Sequence, residues 1–282
     1  MGVGTVYEDL SAWLDEYLET FGMNVPHGPL RAARELVHGI VFTGSVQLTN
    51  AARLVAQAPT ELEYMVKRMS LHLANPHWDH TPWARSILRE QARFLQDDDL
   101  IPIDATELAK PYSHHLEYLC TVRDASRPGD PLVPGYWCLG AYHWQPDSRI
   151  LSPLMLCPYS THQPFFRSEN DVWQKRLWEL RQATEGRGIW LEDRGADRPE
   201  VLSTFLMLQD RWIIRLREDR PLVGPDQSIR PAGQWADFAL ATRPHRGYAV
   251  TLPVQLPPEQ VWQRPPPTRL WLVVPTYTYG ED

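Results

Sequence analysis

No apolar run in the 282-residue chain approaches the roughly 18–20 residues needed to span a bilayer, which argues against a helical membrane protein. A secretory leader is not expected, because Glu8 and Asp9 precede any apolar periodicity where positive charge and an unbroken apolar stretch belong. The expectation is a cytoplasmic protein. Cysteine is sparse: Cys120, Cys138 and Cys157 lie far apart and form no C-x-x-C pair, so a zinc ribbon or finger is excluded. An odd number of thiols with no leader predicts reduced, buried cysteines. A basic surplus is lacking too. Lys and Arg total 28 against 35 Asp and Glu, a net charge of −7 that counts against a dedicated nucleic-acid binder. Net charge does not report distribution, however, and arginine, the better bidentate phosphate ligand, heavily outnumbers lysine. Internal repeats and low-complexity tails are absent. What is present is 43% apolar residues, enough for one large or two modest globular domains.

The first hundred residues read as helices. Leu10, Trp13, Leu14, Tyr17, Leu18 and Phe21 recur on one face, with Gly22 as a C-terminal stop. A second helix starts near Pro29 and runs through Leu36, Val37, Ile40 and Val41; a third covers Leu48 to Ala56. Thr60 and Glu63 have capping-box spacing ahead of Leu62, Met65, Val66, Met69 and Leu73. Thr81-Pro82 opens a further helix through Trp83, Ile87, Phe94 and Leu95. The two short helices between Leu48 and Leu73 fit either a helix-turn-helix DNA reader or an ordinary bundle.

After Asp97-Asp98-Asp99 the pattern changes. Leu100 to Asp104, Gly135 to Trp144 and Ile150 to Cys157 read as strands. Val172, Trp173, Leu177 and Leu180 mark a helix, Gly188 to Leu191 a brief strand, Pro199 to Leu208 a helix, and Trp212 to Leu216 a strand. Three strands, helix, strand, helix, strand suit a mixed sheet with helices on its faces. From Arg220 prolines become dense, with strands expected at Trp235 to Ala241, Tyr248 to Val254 and Leu270 to Val274. The predicted class is α+β: a helical domain over 1–98, a mixed-sheet core over 99–220, and a β-rich segment over 221–282.

Two acids follow short apolar strands: Asp104 in IPIDATELAK and Asp193 in GIWLEDRGADRPEVL. Such acids sit where rigid backbone meets solvent, and a pair on neighbouring strands can share divalent metals through hard carboxylate oxygens. A strand-terminal Asp is also a common turn or cap residue, and Asp193 can simply open the Arg194-Gly195 turn. From the residues alone both readings stand.

The Asp104-Ala105-Thr106-Glu107 segment resembles the first-acid motif of insertion-sequence DDE transposases. Asp193-Arg194-Gly195-Ala196-Asp197 is similar to their second, an Asp-Arg-Gly-aromatic-Asp run, with Ala196 in place of the aromatic. The helix and strand that follow, Arg211 to Arg217 included, match the family's continuation, as do Ser45-Val46-Gln47-Leu48-Thr49 and Lys67-Arg68-Met69-Ser70. The resemblance covers nearly the whole chain. It implies a ribonuclease H-like core that cuts and rejoins DNA at transposon ends with two Mg²⁺ or Mn²⁺ ions. Asp104 and Asp193 would be the first two catalytic metal ligands, Lys67 and Arg68 would contact DNA, and Arg194 would contact a DNA phosphate or form a salt bridge to a neighbouring acid. Double-stranded DNA is the implied partner, with a homodimer or pairing to a full-length copy.

The resemblance also implies a third acid in a Tyr-x-x-Arg-x-x-x-Glu pattern, and no such pattern occurs here. The expectation is therefore a C-terminally truncated transposase, weak or inactive by itself. The alternative is a non-catalytic DNA-binding or inhibitory remnant. Glu281 and Asp282 lack helical context for the third role, and Glu218 and Asp219 read as solvated loop charge. His77-Trp78-Asp79-His80 and His114-His115 read as loops, and Ser160 lacks the strand-to-helix elbow of a hydrolase nucleophile.

Overall fold

A computed structural model describes residues 3–22, 27–56, 58–75, 81–113, 115–145, 147–242, 249–258 and 270–275. The chain divides into two compact units, Met1–Ile87 and Leu88–Asp282. No described helix is long and apolar enough to cross a membrane. All three cysteines are free and buried.

The first unit is helical: α1 (Val3–Gly22), α2 (His27–Thr43), α3 (Leu48–Val55), α4 (Leu62–Leu73) and the start of α5 (Thr81–Ala92). The expected apolar faces drive it together. Leu36, Ala51, Ala52 and Met69 are buried, with Leu48, Val55, Leu62, Met65 and Val66 packed around them. Helices α2 and α3 approach closely because Gly39 faces Ala51; a Cβ on Gly39 would lie 2.4 Å from that of Ala51. The Thr60–Glu63 capping box does not form. Thr60 falls inside a 3-10 turn, Pro59–Glu61, which leads straight into α4 with no side-chain cap. Proline fixes the backbone angle that such a turn needs, so the turn starts one residue earlier than the capping pattern suggests.

The second unit is built on a six-stranded sheet: β1 (Leu100–Ala109), β2 (Cys120–Arg123), β3 (Leu132–Gln145), β4 (Ile150–Tyr159), β5 (Ile189–Glu192) and β6 (Arg211–Ile214). The strand order is β2-β3-β1-β5-β6, with β4 also paired to β3. Strands β1 and β3 are antiparallel, as are β3 and its partners β2 and β4, whereas β5 and β6 run parallel to β1. The parallel strands need crossovers, supplied by α6 (Glu169–Thr184) before β5 and α7 (Pro199–Leu208) before β6. An antiparallel half and a parallel half meeting at the first strand is the ribonuclease H-like arrangement. Strand β2 is an addition to the expected order; four residues of mixed polarity, Cys-Thr-Val-Arg, are too short to announce themselves.

Both crossover helices bury their apolar stripes on one face of this sheet. Trp173, Leu177 and Leu180 of α6 and Val201 and Phe205 of α7 share a core with Ile101, Ile103, Leu139 and Trp190. Ser168 caps α6 by accepting from the Asp171 backbone N–H at 3.1 Å. Pro199 opens α7, where its missing N–H costs nothing.

Beyond the sheet lie two antiparallel hairpins, β7 (Pro221–Val223) with β8 (Ile229–Pro231) and β9 (Ala249–Val254) with β10 (Leu270–Pro275). Between them the expected strand at Trp235 to Ala241 is instead a helix, α8 (Ala232–Thr242). Ala232, Trp235 and Ala239 lie on one helical stripe and are buried, while Phe238 is partly exposed. A short apolar run fits both periods, and here the helical one wins because Trp235 fills the space under Leu222 and Leu252. Its indole N–H donates to the Leu222 carbonyl at 3.0 Å. The dense prolines at 265–267 lie outside the described residues.

Candidate active site

Strands β1 and β5 lie side by side in parallel register, Leu100 with Ile189, Ile101 with Trp190, Pro102 with Leu191 and Ile103 with Glu192. Asp104 and Asp193 are the next residue along each chain. Side chains alternate along a strand, and Ile101, Ile103 and Trp190 point into the helix-covered core. The two aspartates therefore share the opposite face, with backbones about one strand spacing, ~4.8 Å, apart. Both are exposed.

Each aspartate has one oxygen held by local backbone. Asp104 Oδ1 accepts from Ala105 N at 2.8 Å and Asp193 Oδ1 from Gly195 N at 2.6 Å. The second bond closes the 3-10 turn Arg194–Ala196, so Asp193 is a turn residue. Neither aspartate has an ion-pair partner among the described residues. The Asp104 carboxyl is raised above the usual carboxylate range, by burial first, against the Ala105 N–H, and then by the charges of Asp193 and Glu107. Two mutually repelling carboxylates without a cation suit a divalent ion and its hard-oxygen preference.

The row continues across the sheet. Asp104 pairs with Gly140, and Gly140 with Leu156. A Cβ on Gly140 would lie 2.9 Å from the Tyr142 hydroxyl and ring, so glycine lets the tyrosine fold back beside Asp104. A register shift between Ala141 and Tyr142 accompanies this turn of the side chain.

Glu192 was not singled out in the sequence. It sits one residue before Asp193, on the core side of β5, and is buried with no hydrogen-bond partner for either carboxylate oxygen. Burial pushes its carboxyl well above the usual range; Asp104 and then Asp193 add to this, and Arg198 opposes it. Arg198 lies over the Trp173 ring at 5.2 Å and reaches Glu169 at 3.2 Å. The signal in the sequence was an acid at the inward position of an alternating apolar strand, Ile189-Trp190-Leu191-Glu192.

Asp197, the last acid of the turn motif, faces away from solvent. Its Oδ1 is 2.6 Å from Arg220 Nε, its Oδ2 accepts from Arg217 N at 2.7 Å, and its carbonyl accepts from Arg220 Nη2 at 2.5 Å. Both side chains are dry, at 0% and 2% exposure. This ion pair ties the turn carrying Asp193 to the start of β7.

Arg194 is exposed and has no ion pair among the described residues. Lys67 is exposed on α4, whereas Arg68 is half-buried and paired with Glu35. These two residues belong to the helical unit. Ser160 is buried and donates to the Tyr118 carbonyl, which suits a structural hydroxyl. Glu218 and Asp219 are exposed in a turn. His77 to His80, His114, Glu281 and Asp282 lie outside the described residues. Among the described residues no group of three or more His, Cys, Asp or Glu side chains is gathered to hold a metal ion.

No family model matches the chain. No curated protein matches it either. Among solved structures the chain is similar to a Mos1 transposase paired-end complex with left transposon end, at 15% identity over 72% of this chain and 71% of that one, with a TM-score of 0.25. So loose a superposition carries no functional argument.

Proposed function

We propose that this chain is a transposase-like protein whose Asp104 and Asp193 bind divalent metal for cleavage and transfer of DNA phosphodiesters. The observation that carries the reading is the β1–β5 register, which makes the two aspartates neighbours on one open sheet face. The ribonuclease H-like strand order and the motif resemblance of both segments support it. Helices of residues 1–98 would contribute DNA binding, with exposed Lys67 as one phosphate contact.

Asp104 and Asp193 each offer a carboxylate oxygen not committed to the backbone bonds at Oδ1. Mg²⁺ or Mn²⁺ held there would supply activation of an attacking oxygen and charge stabilisation at the scissile phosphate. The Ala105 and Gly195 N–H groups fix the carboxylate rotamers. Exposed Arg194, next to Asp193, would orient a phosphate oxygen through its guanidinium fork.

Mn²⁺ binding followed by electron paramagnetic resonance tests the site. Asp104→Asn and Asp193→Asn should each weaken binding by more than the roughly 10–100-fold that loss of a supporting residue costs. Unchanged Mn²⁺ affinity in either variant overturns the assignment. With matched terminal-repeat DNA and Mn²⁺, nicking by this chain is expected to be weak or absent.

A second reading is a non-catalytic DNA-binding remnant or inhibitor. It is favoured by the lack of a third gathered metal-binding side chain among the described residues. DNA affinity with a steep salt dependence and no nicking at any Mn²⁺ concentration selects it.

A further inference from the structure

The sheet does not end at the two aspartates. Strand β5 stops at Glu192, beside Ile103, but β1 runs on to Ala109, paired with β3 as far as Gly135. Five further residues at about 3.3 Å each make a ribbon that projects ~17 Å past Asp104. Thr106 and Leu108 continue the face of Asp104, with Cys138 and Tyr136 opposite them.

Two loops meet at the ribbon's far end. One follows β1 and the other follows β4, whose last residue, Tyr159, pairs with Trp137. Buried Ser160 locks them together, donating to the Tyr118 carbonyl at 2.5 Å and accepting from His162 N at 3.0 Å. Tyr136 Oη donates to the Glu117 carbonyl, and Lys110 N to the Pro134 carbonyl at 2.7 Å. Phe166 stacks on Tyr159 against the core, and its neighbour Phe165 is left 94% exposed. Tyr112, on the other loop, is 86% exposed. Lys110 and Arg167 are exposed and in no ion pair among the described residues. Glu107 on the ribbon points to the opposite face and accepts from Ala125 N at 2.9 Å, while Glu117 on the loop after β1 is exposed.

Nearly bare aromatic rings on tied-down loops, interleaved with unpaired cations, fit a ligand with flat apolar faces strung on negative charge. Unstacked bases on a phosphodiester backbone have that chemistry. We propose that the β1–β3 ribbon and these two loops are a track for a DNA strand with unpaired bases flanking the scissile phosphate. Tyr112 and Phe165 stack on bases, and Lys110 and Arg167 contact phosphates. The proposal rests on the reading of this chain as a DNA-acting protein and names what that site grips several nucleotides from the cut.

The test uses the full chain without metal and a single-stranded oligonucleotide carrying 2-aminopurine, whose fluorescence falls on stacking. The wild-type chain should bind it and quench it. Tyr112→Ala/Phe165→Ala should lose roughly tenfold or more in single-strand affinity per ring removed, lose the quenching, and keep its duplex affinity. Tyr112→Phe should behave as wild type. Wild-type quenching in the double alanine variant overturns the proposal, and so does an equal loss of single-strand and duplex affinity. Mn²⁺ binding is read separately on the same protein. Intact stacking with no metal bound at Asp104 and Asp193 removes the catalytic reading and leaves the track; intact metal and duplex binding without quenching does the reverse. A chain that binds no DNA loses both.

Discussion

Arg220→Met isolates one interaction that holds the site's turn in place. The guanidinium satisfies Asp197 twice, at Oδ1 and at the carbonyl, in a setting where neither side chain meets water. Methionine fills comparable space but leaves Asp197 a dry carboxylate held by the Arg217 backbone N–H and, at 3.6 Å, by the half-exposed Arg217 guanidinium. Removing one partner of a buried pair costs about 3–5 kcal/mol when the other charge stays behind uncompensated, and the remaining Arg217 guanidinium puts this site at the lower end, about 3 kcal/mol. That is a drop of roughly a hundred-fold in the folding equilibrium. Asp197→Asn supplies the control: an amide can still accept from Arg217 N and carries no charge to strand. In that background Arg220→Met should cost about 2–3 kcal/mol less, a coupling at the upper end for residues in direct contact. Urea unfolding followed by tryptophan fluorescence reads this, since Trp190 and Trp235 report on the two cores. A cost below about 1 kcal/mol for Arg220→Met would mean the pair is wet, contrary to the burial argument. An equal cost with and without the Asp197 charge would refute the electrostatic origin.

Glu192→Gln should stabilise the metal-free protein at neutral pH by about 1–3 kcal/mol, since it removes a buried carboxylate without hydrogen-bond partners that the charges of Asp104 and Asp193 disfavour. A lower unfolding midpoint in this variant would show that the carboxyl has a partner after all. Asp210, pushed up to about 6 by burial against the opposing Arg181 at 2.7 Å, predicts a pH dependence. Its folded value lies above the unfolded value near 4, so the native state holds the proton more tightly. The stability it contributes is full below pH ~4 and lost as pH rises through about 6. Asp210→Asn should therefore gain on the wild type in melting temperature between pH 4.5 and pH 7, and a constant difference across that range counts against the shift.

Much of the fold was legible because it rests on local patterns. The face of Leu10 to Phe21 gave α1, and the apolar strands before Asp104 and Asp193 gave β1 and β5. The failures share a cause. Trp235 to Ala241 fits both periods, and only the hairpins beneath it decide for a helix. Cys120–Arg123 becomes a strand through its pairing with the start of β3, which nothing local encodes. Both candidate metal ligands stand out as acids ending an apolar run, although Asp104 lies inside β1, which continues to Ala109 because β3 pairs with it that far; the pairing of Arg68 with Glu35, 33 positions away in sequence, has no local signal.

By itself the sequence determined most of the helices and core strands and the two acids that end apolar runs, because apolar periodicity acts over a few neighbouring positions. The tertiary structure alone decided that β1 and β5 are adjacent and in register, which makes Asp104 and Asp193 a pair. It also decided that Asp197 turns inward to Arg220 while Glu192 is buried with nothing to bond. Those outcomes depend on contacts between residues 20 to 90 positions apart, and the free energy of such contacts is set by burial and geometry that a one-dimensional pattern does not contain.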